Sequence, residues 1–348
     1  MSVTTSTVPT APTAGATTKH FLSITDLSPQ QILATLDLAV HVKAHPHAYT
    51  QCLPAKTAVM LFEKPSLRTR CSFEIGMAKL GGQAVYLDHN STKLGVRETV
   101  EDYAANLSQW CEAIIARTDR HSTLVRLAQS ATVPVINALS DLEHPCQILA
   151  DFLTLREVFG SLDNFKMVYI GDGNNVCHST LLGAAMLGME VSVITPPGHE
   201  PNPAIVEEAV KQACVTGATI VVTHDLGEVE GANAVYTDTW VSMGSEKDPS
   251  IVHDVLMPYQ VNAELMGRAH PDAVFMHCLP AHRGHEVTGE VIDGPRSVVL
   301  QQAQNRMHAQ NALMLQLLGA ASLGGSRIVI NRPTPGVVNP GARIPASA

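Results

Sequence analysis

The fold is decided at the stretch Phe62-Glu63-Lys64-Pro65-Ser66-Leu67-Arg68-Thr69-Arg70-Cys71-Ser72-Phe73-Glu74. The residues 57–62 that lead into it are a nearly unbroken apolar run, which is typical of a strand buried on both faces. After it, Phe73, Met77 and Leu80 recur at helical spacing until two glycines end the pattern. Pro65 separates the two segments, and Ser66 is a candidate N-cap. The stretch is therefore predicted to be the point where a buried strand leads into a helix.

This junction has the chemistry of an anion site. A helix N-terminus offers unpaired backbone N–H groups and a positive partial charge. Ser66 and Thr69 add hydroxyl groups, while Arg68 and Arg70 add guanidinium groups that can bind phosphate through two parallel hydrogen bonds. These residues alone leave two interpretations open: a phosphate site, or a capped surface helix with two solvated arginines.

Length and composition limit the class of protein. A chain of 348 residues suggests two domains, and its formal net charge of −9 argues against nucleic acid or an anionic membrane surface as partner. No apolar run is long enough to span a bilayer. The 7 cysteines are odd in number and lack Cys-x-x-Cys spacing, so a reducing compartment fits better than a disulfide framework.

Both ends of the chain are predicted to be flexible tails. Residues 1–18 are rich in Ser, Thr and Ala, without the apolar segment of a secretory signal or the arginines of a mitochondrial presequence. This favours the cytoplasm over the mitochondrial matrix. Residues 322–348 are rich in Gly and Pro, which indicates a second tail.

Strand patterns alternate with helix patterns along the rest of the chain, which predicts parallel sheets with helices on both faces. The composition turns polar near residue 160, where a second series of strands and helices begins. We therefore expect an α/β protein with two doubly wound parallel-sheet domains, residues 19–160 and 161–301. A last short strand is expected at 297–300, and a helix at 302–320 that packs back on the first domain.

Several polar residues directly follow predicted strands. In open parallel sheets, ligands bind beyond the carboxyl ends of the strands. The residues so placed are Ser66 to Thr69, Arg117, Asn174, Asn175, Asp238 and Cys278. A cleft between the two domains would gather all of them, and this cleft is the predicted active site.

The sequence argues against three other kinds of site: a dinucleotide site, a zinc site and a nucleophilic cysteine–histidine pair. The Gly171-Asp172-Gly173 loop lacks the third glycine of a dinucleotide site. Cys278, His282 and His285 could suggest zinc, but Pro280 prevents one helix from presenting all three. A nucleophilic pair of Cys278 and His277 is disfavoured because adjacent strand residues point to opposite faces.

Four motifs occur in a recognisable order: Ser66-x-Arg68-Thr69-Arg70, His144-Pro145-x-Gln147, Asp238-x-x-x-Ser242-Met243-Gly244 and His277-Cys278-Leu279-Pro280. Together they resemble the aspartate/ornithine carbamoyltransferase family from about residue 20 to about residue 320. The last two motifs favour the ornithine branch. One departure is Leu67, where threonine is common in the family.

The resemblance implies transfer of the carbamoyl group of carbamoyl phosphate to L-ornithine, giving citrulline and phosphate in arginine biosynthesis, by a homotrimer that needs no cofactor and no metal. It implies a catalytic role for Arg117, His144 and Cys278. The implied contacts to carbamoyl phosphate are Ser66, Leu67, Arg68, Thr69, Arg117, His144, Gln147, Cys278, Leu279 and Arg306. The implied contacts to ornithine are Asn175, Asp238, Ser242 and Met243.

Rival functions stay open at this point. Within the class, the acceptor could be putrescine, aspartate or an acylated ornithine. Outside it, the same fold could serve as a non-catalytic anion-binding subunit, or as a nucleotide-dependent oxidoreductase, which the incomplete glycine loop argues against.

Overall fold

The structure is a computed structural model that describes residues 19–240, 249–324 and 327–330. Its first sheet has four parallel strands in the order β2-β1-β3-β4. The strands are β1 (Thr57–Phe62), β2 (Gln83–Asp88), β3 (Ala113–Arg117) and β4 (Val135–Leu139). The helices around this sheet are α1 (Pro29–Ala44), α2 (Leu67–Lys79), α3 (Val100–Leu107), α4 (His121–Ser130) and α5 (Pro145–Phe159).

The second sheet has five parallel strands in the order β7-β6-β5-β8-β9. The strands are β5 (Lys166–Ile170), β6 (Glu190–Ile194), β7 (Thr219–Thr223), β8 (Ala234–Thr237) and β9 (Val274–His277). The helices of this part are α6 (Asn175–Met186), α7 (Pro203–Thr216), α8 (Pro249–Leu256), α9 (Ala263–Arg268) and α10 (Gly289–Ile292). The predicted α/β class with two parallel-sheet domains is confirmed.

The central strands are buried because helices cover both faces of each sheet. In β3 all five residues are buried, and in β1 only Thr57 is partly exposed. The apolar runs that predicted these strands therefore lack the alternation of a half-exposed sheet. Pro134 directly precedes β4, and β4 lies at the edge of the first sheet, where a missing backbone N–H is tolerated.

The last long helix, α11 (Val299–Leu317), returns to the first part of the chain and packs against α1, α2 and α5. Two side-chain hydrogen bonds, one buried and one partly buried, fix its position. Asn305 Nδ2 donates to Thr154 Oγ1 at 2.9 Å, and Thr35 Oγ1 donates to Gln316 Oε1 at 2.7 Å. This return places Arg306 beside the first sheet although it follows the second in sequence.

Two expectations about the C-terminal region differ from the structure. The strand predicted at 297–300 is wrong, because only Ser297 bridges to Phe275 before α11 begins at Val299. The tail predicted from residue 322 begins instead with an antiparallel pair, β10 (Ala321–Gly324) and β11 (Arg327–Ile330). A short two-stranded ribbon of this kind needs only local pairing and carries a weak sequence pattern. Residues 1–18 and 331–348 lie outside the described part of the chain.

No helix within the described ranges combines the length and the apolar character that crossing a membrane requires.

Candidate active site

The junction of β1 and α2 forms as the sequence predicted. Ser66 is the N-cap of α2, and its hydroxyl accepts a hydrogen bond from the backbone N–H of Thr69 at 3.3 Å. The side chain of Leu67 is 73% exposed, so this residue could meet a ligand here only through its backbone. Arg70 turns away from the junction, since it pairs with Glu74 at 3.2 Å and stacks on the Tyr86 ring. Of the two arginines of the motif, only Arg68 has no side-chain partner among the described residues, so it is the one available for an anion.

Three guanidinium groups converge beside this helix. Arg117, the last residue of β3, is only 6% exposed, and its Nε has no hydrogen-bond partner among the described residues. Burial and the neighbouring charges of Arg306 and Arg68 lower the pKa of Arg117 to about 10. Burial also lowers the pKa of both Arg68 and Arg306. Holding like charges together away from water is unfavourable in free energy unless an anion compensates them. The cluster of Arg68, Arg117 and Arg306 therefore favours binding of an anion.

His144 lies at the N-terminus of α5, close enough to Arg68, Arg117 and Arg306 to be affected by their charges. Burial, followed by the charges of Arg306, Arg117 and Arg68, lowers the pKa of His144 well below its usual value. Its backbone N–H donates to Ser179 Oγ at 2.9 Å, while the Nδ1 atom has no partner among the described residues. The imidazole is thus neutral at pH 7, and it is not the satisfied structural histidine that a helix start usually holds.

Gln147, one turn further along α5, connects this cluster to α11. Its Oε1 accepts from Arg306 Nη1, and its Nε2 donates to Asp151 Oδ1 at 2.8 Å. Arg306 also donates to Thr69 Oγ1 at 3.3 Å. The predicted contacts Thr69, Gln147 and Arg306 are therefore brought together by direct hydrogen bonds.

The second sheet contributes a carboxylate on the other side of the cleft. Asp238 directly follows β8; its Oδ2 accepts from Asn174 Nδ2 at 2.7 Å, and its Oδ1 accepts from the thiol of Cys278 at 2.9 Å. Burial and the negative charge of Asp238 raise the pKa of Cys278 well above its usual value. The thiol is therefore a hydrogen-bond donor and a poor nucleophile. Asp238 and Cys278 in turn act electrostatically on Arg68, so the two halves of the site face each other.

The turn after β9 has an unusual backbone. Leu279 adopts φ 58°, a left-handed conformation that non-glycine residues rarely take, and its peptide bond to Pro280 is cis. Its N–H donates to His277 Nδ1 at 2.8 Å. A left-handed conformation at a non-glycine residue is found preferentially at functional sites, where the surrounding structure holds it.

The remaining predicted contacts are placed as follows. Asn175 begins α6, and its amide donates to the carbonyl of Ser140 at 2.6 Å, which leaves its Oδ1 as the polar group still available. Ser242 and Met243 lie outside the described residues.

Histidines near the cleft do not form a complete metal site within the described residues. Donor atoms of Asp238, His277 and Cys278 lie within 4.8 Å of one another. Both ring nitrogens of His277 are already engaged, Nδ1 by Leu279 N–H and Nε2 by Glu286 at 3.2 Å. The expectation that the side chains of His277 and Cys278 lie on opposite faces is wrong, because their donor atoms approach within 4.8 Å. Each side chain is nevertheless hydrogen-bonded to other partners, His277 to Leu279 and Glu286 and Cys278 to Asp238.

Asn174 was expected at the cleft, and it donates to Asp238 and caps α6. Two other residues that build this site were not predicted: Ser179 accepts from the backbone N–H of His144, and Asp151 accepts from Gln147. Asp151 carried a usable signal, because it lies four residues after Gln147 and so on the same helix face. The role of Ser179 depends on a contact between distant parts of the chain.

The two halves of the chain match two known domain families. Residues 19–157 match the domain described as aspartate/ornithine carbamoyltransferase, carbamoyl-P binding domain, and residues 163–317 match the one described as aspartate/ornithine carbamoyltransferase, Asp/Orn binding domain. The chain belongs to the aspartate/ornithine carbamoyltransferase family. The family resemblance drawn from the four motifs is confirmed.

Named relatives of this carbamoyltransferase chain are similar over their whole length. The ornithine carbamoyltransferase of Shewanella oneidensis is 54% identical over 299 residues, which are 86% of this chain and 99% of that protein. The ornithine carbamoyltransferase of Methanothermobacter thermautotrophicus is 52% identical over 302 residues, with the same coverage of 86% and 99%. Among solved structures, the ornithine carbamoyltransferase from Pyrococcus furiosus superimposes with a TM-score of 0.84 at 44% identity, covering 87% of this chain and 98% of that one.

Proposed function

We propose that this chain transfers the carbamoyl group of carbamoyl phosphate to the δ-amine of L-ornithine, giving L-citrulline and inorganic phosphate. The observation that carries the proposal is the pairing of an arginine cluster on the first domain with a buried carboxylate, Asp238, across the cleft. A dianionic phosphate fits the first, and an ammonium group fits the second. The relatives named ornithine carbamoyltransferase support the same substrates.

The phosphate would lie at the N-terminus of α2. Its oxygens would accept from Ser66, Arg68, Thr69 and the free backbone N–H groups, including that of Leu67. This arrangement combines a helix dipole with a guanidinium fork, and both favour a dianion. Arg68 is half-exposed toward the cleft and pairs with no carboxylate in the described structure, so its donors are available.

The carbamoyl group would extend toward the interior. Arg117, neutral His144 and Thr69 would donate to its carbonyl oxygen, which gains negative charge when the amine attacks. Gln147 and the carbonyl groups of Cys278 and Leu279 would orient its NH₂ group, with Arg306 as a further cationic contact. Donors fixed in advance where charge develops can stabilise a transition state without reorganisation.

The reaction needs no covalent intermediate with the protein. The neutral δ-amine attacks the carbamoyl carbon, and the bond from that carbon to the phosphate oxygen breaks. The departing phosphate takes the electron pair of that bond and accepts the proton that the attacking nitrogen gives up. Holding both substrates at the reacting distance supplies most of the acceleration. Asp238 would bind the α-ammonium of ornithine, and Asn175 Oδ1 would add a polar contact.

The direct test is citrulline formation from carbamoyl phosphate and ornithine by the purified chain. A protein that binds phosphate without forming citrulline would instead be the anion-binding subunit considered above. We place the activity in arginine metabolism, as the family resemblance implies. We place it in the cytoplasm because all seven cysteines are free thiols, which a reducing compartment allows.

We further propose a homotrimer. The loop at residues 90–99 is mostly exposed and lies at the end of β1, where Lys93 and Leu94 bond to Glu63. Trp110, near the start of the same strand, is 74% exposed. A tryptophan exposed to this extent is typical of an interface, and the family resemblance implies a trimer. Light scattering of the purified protein should give three times the mass of one chain, or a multiple of that. A fully active monomer would contradict this proposal.

A further inference from the structure

A single buried glutamine connects the two domains behind the cleft. Gln302 lies on α11, and both ends of its carboxamide are used. Its Oε1 accepts from the backbone N–H of His277 at 3.0 Å. Its Nε2 donates to Asp151 Oδ1 at 2.7 Å and to the hydroxyl of Tyr236 at 3.1 Å. These partners lie on β8 and β9 of the second sheet and on α5 of the first domain, so this one side chain joins the second sheet to a helix of the first domain and to the returning helix.

The same hydrogen bonds continue to the phosphate-binding helix. Asp151 Oδ1 also accepts from Gln147 Nε2, Gln147 Oε1 accepts from Arg306, and Arg306 donates to Thr69 on α2. The path from α2 to the end of β9 is therefore unbroken. Each of its side chains is at most 3% exposed: Thr69, Gln147, Asp151, Tyr236, Gln302 and Arg306. Water cannot replace a lost bond easily in such a place, so each link constrains the next.

Asp151 affects this series of hydrogen-bonded side chains through its charge as well as through its hydrogen bonds. Burial raises the pKa of Asp151 to about 7, while hydrogen bonds from Gln147 and Gln302 and the charge of Arg306 favour its ionised form. The carboxylate in turn favours the charged form of Arg306. Asp151 thus orients Gln147 and, in its ionised form, also offsets part of the positive charge gathered in the cleft.

Gln302 bonds to the ends of β8 and β9, and residues of the second domain that face the cleft directly follow these two strands. His277 is followed directly by Cys278 and Leu279, and Tyr236 is two residues before Asp238. We propose that Asp151 and Gln302 are positioning residues that fix the Cys278–Leu279 turn and Asp238 at a set distance from the phosphate-binding helix. This inference rests on the proposed function, because it concerns how the two substrates are aligned.

A residue that positions the two halves of the site and a residue that only stabilises the fold should affect the kinetics differently when they are replaced. A residue that only holds the fold together should affect every ligand site when it is removed. A residue that aligns the two halves should leave phosphate binding on α2 intact and slow the chemical step, since a displacement of about 1 Å can cost about a hundredfold in rate.

The test compares Gln302→Leu with Gln301→Leu. Gln301 is the preceding residue on α11, and its Nε2 donates to Glu157 at 2.8 Å, away from the path. We expect Gln302→Leu to lower kcat for citrulline formation at least thirtyfold, with the inhibition constant of inorganic phosphate within threefold of the parent. Gln301→Leu should keep both values within twofold. A kcat of Gln302→Leu within threefold of the parent would overturn the inference, and so would an equal loss of phosphate binding.

Two further variants keep the test decisive if Gln302→Leu does not fold. Gln302→Glu should recover more than a tenth of the parent kcat. A carboxyl oxygen can still accept from His277, and two carboxyl groups this close share a proton that replaces the lost N–H. Asp151→Asn should lower kcat at least tenfold with phosphate inhibition unchanged within threefold. Full activity of Asp151→Asn would overturn the inference, while citrulline formation by the parent would still support the proposed function.

Discussion

Replacing Arg68 with alanine is expected to abolish binding of carbamoyl phosphate at accessible concentrations. Arg68 is the guanidinium at the start of α2 that faces the cleft, and no carboxylate is hydrogen-bonded to it in the described structure. Losing a charged, two-pronged contact to a dehydrated anion costs about 3 kcal/mol or more, which is at least a hundredfold in affinity. Isothermal titration or the KM for carbamoyl phosphate would measure the loss.

Two companion variants separate the charge of Arg68 from its shape. Arg68→Lys should recover little affinity, because an ammonium group lacks the planar fork. Arg126→Ala removes an arginine that pairs with Glu101 on the surface at 2.7 Å, and it should leave binding unchanged. If Arg68→Ala bound carbamoyl phosphate within a few-fold of the parent, the phosphate anchor would have to be assigned elsewhere.

Replacing Asp238 with asparagine is expected to remove ornithine turnover and to spare carbamoyl phosphate. The side chain keeps its size but loses the charge that would pair with the α-ammonium group. Its new NH₂ group would also face Asn174 Nδ2 or the thiol of Cys278, both of which are donors in the parent. A charge-assisted hydrogen bond is worth about 1.5–3 kcal/mol, so kcat/KM for ornithine should fall about a hundredfold.

Asp225→Asn is the matched control for Asp238→Asn. Asp225 caps a short helix of the same domain through Gly227 N–H at 2.8 Å, and asparagine can cap equally well. Its kinetics should equal those of the parent. An equal loss of affinity for carbamoyl phosphate and for ornithine in Asp238→Asn would indicate general disruption of the cleft and not a role in binding the amine.

The positions of Ser66, Arg68 and Arg117 could be predicted, because the sequence pattern that indicates each of them spans only a few neighbouring residues. Pro65 and Ser66 mark the start of α2, and the apolar run before them marks a strand buried on both faces. The position of Arg117 at the end of β3 follows from a strand pattern that stops at a charge. From such patterns the parallel sheets follow, and with them the edge at which ligands gather.

The long-range half could not be predicted for an equally physical reason. The bonds of Gln302 to Asp151, Tyr236 and His277 join residues that are 25 to 151 positions apart, and no local pattern encodes them. The wrong strand at 297–300 has the same origin. Its β-branched residues fit a strand, but the chain there pairs at Ser297 alone and then enters the helix that carries Gln302 and Arg306.

The central claim is tested most directly by steady-state kinetics on three amines, ornithine, putrescine and aspartate, each with carbamoyl phosphate. We expect kcat/KM for ornithine to exceed that for putrescine and that for aspartate by at least about a hundredfold. A site whose polar groups bind a substrate group discriminates against a substrate that lacks the group. Putrescine keeps a second ammonium group for Asp238 but has no carboxylate, so the groups that face the carboxylate of ornithine would stay unpaired. Aspartate brings a second carboxylate toward the carboxylate of Asp238. Turnover of putrescine equal to or better than that of ornithine would contradict the account.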